Sequence, residues 1–180
     1  MQLLTGFEVA FSVRERVRKE TEAFVASNGI VPCLAVVLVG DDGASASYVA
    51  SKGSACEEMG FKHVDYRLEA TCKAEQLFDL IKTLNKDPRV HGILVQFPLP
   101  PHLDEQLVME TIDPVKDVDG LNPKNLGRLL LGQKSLVPCT PAGIMQIVDY
   151  YHIETTGRHA VVIGRSAIVG KPIASLLMQK

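Results

Sequence analysis

The residues with the most chemical content lie between positions 45 and 52. Ser45, Tyr48 and Lys52 recur about one turn apart in a stretch, Ser45 to Met59, whose apolar positions fit a helix. Plotted at 100° per residue, Tyr48, Val49, Ala55, Cys56 and Met59 fall within an arc of roughly 120°. Lys52 sits in the middle of that arc, while Ser51, Ser54, Glu57 and Glu58 lie elsewhere. An inward lysine either snorkels to the edge of its helix or occupies a polar pocket with partners. Central placement favours the pocket. Withdrawal from bulk water disfavours a charged amine, which suits such a group to proton transfer.

Two other clusters carry polar chemistry. Asp117-Val118-Asp119-Gly120 reads as a turn, since Asp-Gly favours turns, or as a carboxylate, Asp119, that accepts two N–H donors from a planar heterocycle. Near the end, Val161-Val162-Ile163 reads as a short strand that breaks at Gly164, and Gly170 opens a helix carrying Ile173, Leu176 and Leu177. Such a strand-to-helix turn cradles a dinucleotide phosphate on free backbone N–H groups at the helix start. Its spacing is Gly-x5-Gly, less specific than the Gly-x-Gly-x-x-Gly pattern.

The elements that must position these groups alternate. Glu8 to Val25 fits an amphipathic helix, and Leu34 to Val39 is a β-branched run of a strand buried on both faces. The Ser45–Met59 helix stops at Gly60, and His63 to Leu68 alternates as a strand. Lys73 to Asn85 places Leu77, Leu80, Ile81 and Leu84 at helical spacing before Pro88, and Gly92 to Gln96 is a third strand. After Pro98-Leu99-Pro100-Pro101, Asp104 caps a short helix to Thr111; Thr140-Pro141 reads as a cap and first turn of a helix reaching Tyr151. The pattern predicts an α/β fold with a parallel sheet in residues 1–138, then, from 139 to 180, the first strand and helix of a Rossmann-like domain. In such sheets ligands bind beyond the carboxyl ends of the strands. The first strand runs through Gly40-Asp41-Asp42 into Ser45 and the third ends at Gln96, which places Gln96 on one rim with Lys52, where its amide can orient the amine.

Composition narrows the partners. The chain has 180 residues, 46% hydrophobic and 22% charged, with net charge −2 and no basic block, so neither nucleic acid nor a membrane surface is favoured. No apolar run approaches membrane-spanning length, and Met1-Gln2-Leu3-Leu4-Thr5-Gly6 lacks the pattern of a secretion signal. Cys33, Cys56, Cys72 and Cys139 have no paired spacing, and the five histidines form no ligand pair. No metal or disulfide framework is expected, and a reducing, cytoplasm-like compartment fits.

Taken together, these segments resemble the bifunctional methylenetetrahydrofolate dehydrogenase/methenyltetrahydrofolate cyclohydrolase family. The matching blocks are Gly40 through Ser45, Tyr48-Val49 through Gly60 with Lys52, and Gly92-Ile93-Leu94-Val95-Gln96-Phe97-Pro98-Leu99-Pro100. They continue with Pro114-x-Lys116-Asp117-Val118-Asp119-Gly120, Pro138-Cys139-Thr140-Pro141-x-Gly143, and Gly164-Arg165-Ser166 through Pro172. Tyr48-x-x-x-Lys52 also matches the pair of short-chain dehydrogenases, but there the glycine-rich turn precedes the pair, and here it follows.

The resemblance implies Lys52 as the proton-transfer lysine of the cyclohydrolase step and Gln96 as its tuning partner. It implies Tyr48 stacking on a folate, Asp119 holding the pterin, and Ser45, Val95 and Phe97 lining the substrate. Phe97 stands where leucine is common. Gly164, Arg165, Ser166 and Thr140 are implied to meet the cofactor, NADP with NAD as the alternative. Substrates would be tetrahydrofolate derivatives and the full-length parent a homodimer. Later strands of a cofactor domain are expected to be missing, and hydride transfer by the 180-residue chain to be small. Two rivals remain: another two-domain dehydrogenase of amino or hydroxy acids, and a non-catalytic folate-binding fragment.

Overall fold

The β-branched run forms the central strand. In the computed structural model, which describes residues 3–41 and 43–180, Cys33–Val39 is β1, buried along most of its length. Met1 and Gln2 of the chain start, and Asp42 of the acidic pair after β1, lie outside the described residues. The chain divides into two compact units, Arg14–Asp117 and Met1–Val13 with Val118–Lys180. Helix α1, Gly6–Asn28, contributes residues to both.

In the first of these units β1 is followed by α2 (Gly43–Glu58), β2 (Lys62–Leu68), α3 (Ala74–Lys86), β3 (Gly92–Val95) and α4 (Glu105–Thr111). The strands form a parallel sheet in the order β2-β1-β3, with Val37 opposite both Tyr66 and Val95. Parallel neighbours require a helical crossover, and α2 and α3 supply them. One sheet face, with Ala35, Val37, Val39, Ile93 and Val95, packs on Leu77, Ile81 and Leu84 of α3 and Val108 of α4. Because successive side chains on a strand alternate faces, His63 points the other way from Val64 and Tyr66. It meets Gly53 of α2, so α2 covers the opposite face. Asp104 caps α4 as expected, accepting from the Leu107 N–H at 3.1 Å.

The second unit is helical: α5 (Pro123–Leu130), α6 (Cys139–Tyr150) and α7 (Gly170–Met178), with the start of α1. The Tyr151 hydroxyl ties the two chain segments of this unit together, accepting from the Thr5 N–H at 2.9 Å. Two expectations need correction, and one helix was not foreseen. Helix α5 has no counterpart in the sequence reading, although Asn122 caps it through the Lys124 N–H and Pro123 opens it. Thr140 is not a cap: α6 begins at Cys139 after Pro138, and Thr140 lies within its first turn. The strand expected at Val161–Ile163 does not form; Ile163 is 99% exposed. A strand exists by pairing, and among the described residues this unit holds no other strand.

Candidate functional site

Lys52 reaches its partner from the flank of its helix. On α2 the residues turned to the sheet are Val49, Gly53 and Cys56, all buried, and Tyr48 is 64% exposed. The buried line is therefore rotated by roughly 65° from Lys52, which is half-buried rather than central. The apolar plot missed this because Gly53 has no side chain to count, yet it is the point of nearest approach. A Cβ there would stand 2.9 Å from His63 Nε2. Ser45, two turns before Lys52, is 4% exposed, and its polar group has a partner.

Gln96 arrives from the sheet. It follows β3 directly, and its N–H still donates to Val37 O of β1 at 2.8 Å, so its backbone is held as part of the sheet. Lys52 Nζ donates to Gln96 Oε1 at 2.9 Å, although 44 positions separate the two residues. Gln96 Nε2 donates to the Phe97 carbonyl at 2.7 Å. The sense of the amide follows from its partners, since an ammonium only donates and a carbonyl only accepts. Phe97 is half-buried against the core cluster. Val95 is 1% exposed and belongs to that core. An amine with one N–H fixed and no second hydrogen-bond partner among the described residues can exchange a proton with a bound molecule.

The acidic motif is a turn, and it is anchored at several points. Ile93 N–H donates to Lys116 O at 2.7 Å, and Asp117, 2% exposed, bridges to Ile93 in parallel sense. Lys116 Nζ donates to Leu84 O at 3.0 Å and Asp87 O at 2.8 Å, closing the carboxyl end of α3. In the second unit, Gly120 has φ +66°, and a Cβ on it would lie 2.6 Å from the Val137 carbonyl carbon. Only glycine fits there. Asp119 Oδ1 accepts from Cys139 Sγ at 3.7 Å, next to the exposed Thr140. Lys52 and Gln96 meet within Arg14–Asp117, while Asp119, Thr140 and the glycine turn belong to the other unit.

The glycine turn caps itself. Ser166 Oγ accepts from Val169 N–H at 3.2 Å and Gly170 N–H at 3.1 Å, and Ser166 O accepts from Lys171 N–H at 3.0 Å. Pro172 has no N–H to offer. The donors expected to be free at the start of α7 are therefore taken. The N–H groups of Arg165, Ala167 and Ile168, one step earlier, have no hydrogen-bond partner among the described residues. Gly170 allows this fold-back: a Cβ there would stand 2.7 Å from Gly164 C and O. The exposed Arg165 guanidinium and these N–H groups form a donor set suited to an anion. Sequence reasoning missed the Lys116 clamp and the Ser166 cap; the Asn122-Pro123 signal for α5 was readable.

Residues 4–119 match the family described as tetrahydrofolate dehydrogenase/cyclohydrolase, catalytic domain, and residues 138–180 match its NAD(P)-binding domain. The bifunctional protein FolD of Campylobacter hominis is 51% identical over 178 residues, covering 99% of this chain and 62% of that protein. The bifunctional FolD methylenetetrahydrofolate dehydrogenase/cyclohydrolase of Campylobacter jejuni superposes with a TM-score of 0.95 at 46% identity, over 99% of this chain and 63% of that one. The Trypanosoma brucei methylenetetrahydrofolate dehydrogenase-cyclohydrolase, solved with NADP and an inhibitor, gives 0.90 at 33% identity, over 96% and 59% of the two chains. The chain thus spans about 62% of the length of the curated relative it matches at 51% identity.

Proposed function

The chain belongs to the tetrahydrofolate dehydrogenase/cyclohydrolase family, and from that premise we propose that the protein acts in one-carbon folate metabolism. Its substrate is 5,10-methylenetetrahydrofolate, oxidised to the methenyl cation and then hydrolysed to 10-formyltetrahydrofolate. The observation that carries this reading is the Lys52–Gln96 contact at 2.9 Å inside the stretch that matches the catalytic domain. Residues 1–138 hold the folate and residues from 139 onward begin the nucleotide-binding part. NADP, with NAD as the alternative, accepts the hydride from the one-carbon bridge when bound. Arg165 and the open N–H groups at Arg165, Ala167 and Ile168 would take its phosphates, with Gly164 shaping the turn and Thr140 nearby.

In hydrolysis, water attacks the amidinium-like carbon and loses a proton; ring opening then needs a proton on the departing nitrogen. Lys52 serves both transfers, and Gln96 holds it in place. Tyr48, exposed one turn earlier, offers its ring face to the folate, with Ser45 and Phe97 beside it and Asp119 on the pterin. The protein is cytoplasmic, and its full-length form is a homodimer.

Lys52→Met tests the assignment. Acid–base help is worth on the order of 10²–10⁴-fold, so cyclohydrolase turnover, followed as loss of methenyltetrahydrofolate absorbance, should fall by that order and dehydrogenase turnover by much less. Equal loss of both in a folded variant would show that Lys52 only binds. A second reading, a folate-binding chain without hydride transfer, draws on the unpaired Val161–Ile163 segment. Calorimetric binding of a folate analogue with no NADP-dependent absorbance change from the 180-residue chain would favour it.

A further inference from the structure

We infer that the main-chain carbonyl of Phe97 is a positioning group that locks the Gln96 amide in one sense, and thereby fixes which side of Lys52 exchanges its proton. The inference rests on the cyclohydrolase reading above and goes beyond it. Gln96 Nε2 donates to Phe97 O at 2.7 Å while Oε1 accepts from Lys52 Nζ at 2.9 Å, so both ends of the amide are in use. A flipped amide would set Oε1 against the Phe97 carbonyl, two acceptors face to face, and Nε2 against an ammonium, two donors face to face. Neither contact can form a hydrogen bond, and leaving those groups mispaired costs free energy.

The consequence concerns direction. An ammonium has three N–H groups and a neutral amine has two plus a lone pair. With the amide locked, one N–H stays on Oε1 in either state. The lone pair of the neutral amine then cannot be spent on Gln96, so the proton that leaves or returns does so on a side turned away from the amide. The remaining link is what keeps the carbonyl still. Gln96 N–H is fixed to Val37 O at 2.8 Å, and the Phe97 ring packs on the core cluster beside the strands. The Phe97 carbonyl lies just beyond the carbon that bears the ring, and on its far side Leu99 N–H donates to Glu105 Oε1 at 2.9 Å, so the chain is held on both sides of it and the Phe97 side chain is an anchor for proton geometry.

The test reads the lock itself by NMR on the purified protein, as a through-hydrogen-bond coupling between Gln96 ¹⁵Nε2 and the Phe97 carbonyl carbon. The coupling is expected in the unaltered protein, is expected to persist in Phe97→Leu, and is expected to vanish in Phe97→Ala. Turnover of methenyltetrahydrofolate should fall about 10- to 100-fold in Phe97→Ala, the scale of a misplaced reacting group, mainly in kcat. Absence of the coupling in the unaltered protein overturns the inference. So does its loss in a folded Phe97→Ala protein whose kcat is unchanged. If the unaltered protein shows the coupling but hydrolyses no substrate, the lock stands and the catalytic reading fails, so the two failures are separable.

Discussion

Replacing Lys116 by Met should loosen the unit that carries Lys52 without touching Lys52. The ammonium of Lys116 donates to Leu84 O at 3.0 Å and to Asp87 O at 2.8 Å, at the carboxyl end of α3. Met keeps the apolar stem and removes the charge and both donors. A hydrogen bond to a charged group contributes about 1.5–3 kcal/mol, and the half-buried position argues for the lower figure, so two bonds give about 3 kcal/mol. A cation at a helix carboxyl end adds about 0.3–1 kcal/mol. Against this stands the rotamer freedom lysine loses when held, up to about 2 kcal/mol, part of which Met loses too. The net is about 2 kcal/mol, roughly a 30-fold change in the folding constant and about 4–8 °C in Tm for a chain of this size. Urea unfolding should show a lower midpoint at unchanged slope. Hydrogen exchange of the Asp87 and Val90 amides, which bond at this helix end, should accelerate. A variant within about 0.5 kcal/mol of the parent, with those amides as protected as before, would refute the reasoning and show that water serves the carbonyls equally well.

Gly53 and His63 should couple. Alanine at position 53 gains about 1 kcal/mol of helix propensity but sets its Cβ 2.9 Å from His63 Nε2. In a double-mutant cycle, Gly53→Ala should therefore be at least about 1 kcal/mol less favourable with His63 than with His63→Ala; a coupling near zero would count against it. Asp87 should titrate anomalously low, at about 2 rather than 3.8, because the Arg89 side chain and N–H both donate to its carboxylate. Its contribution is intact above pH 3.8 and is lost as pH falls through about 2. A ¹³C titration of the Asp87 carboxyl should give that midpoint, and Arg89→Ala should move it upward; an unmoved midpoint is the contrary result. Burial pushes the Cys56 and Cys72 thiols up, and Cys139 is exposed. A thiol reagent followed by mass spectrometry should modify Cys139 well before either buried thiol, and simultaneous labelling of all three would contradict the burial.

Much of the fold was legible because its signals are local. The run Leu34–Val39 is β-branched without interruption, Leu77, Ile81 and Leu84 repeat at helical spacing, and Asp104 precedes its helix as a cap should. The misses depend on contacts that periodicity and hydropathy do not record. Val161–Ile163 has strand composition but, among the described residues of its own unit, no strand to pair with. The inward stripe of α2 was misplaced because its centre, Gly53, is defined by the ring of His63 rather than by its own hydropathy. The Ser166 hydroxyl accepts from the helix donors itself, a contact the sequence reading did not foresee and one made possible by Gly170 lying against Gly164.

Residue types and spacing alone determined that Lys52 belongs to an amphipathic helix and that Gln96 ends a buried strand, because periodicity and side-chain alternation are properties of the local backbone. They also pointed to a turn at Asp119-Gly120, since Asp-Gly favours turns, and the structure has Gly120 at φ +66°. Tertiary structure alone decided that the amine is half-buried on a flank, that it meets the amide at 2.9 Å, and that the amide is held by the carbonyl of Phe97. Those distances depend on how closely α2 lies on the sheet, and that closeness is set by packing between residues that no local pattern connects.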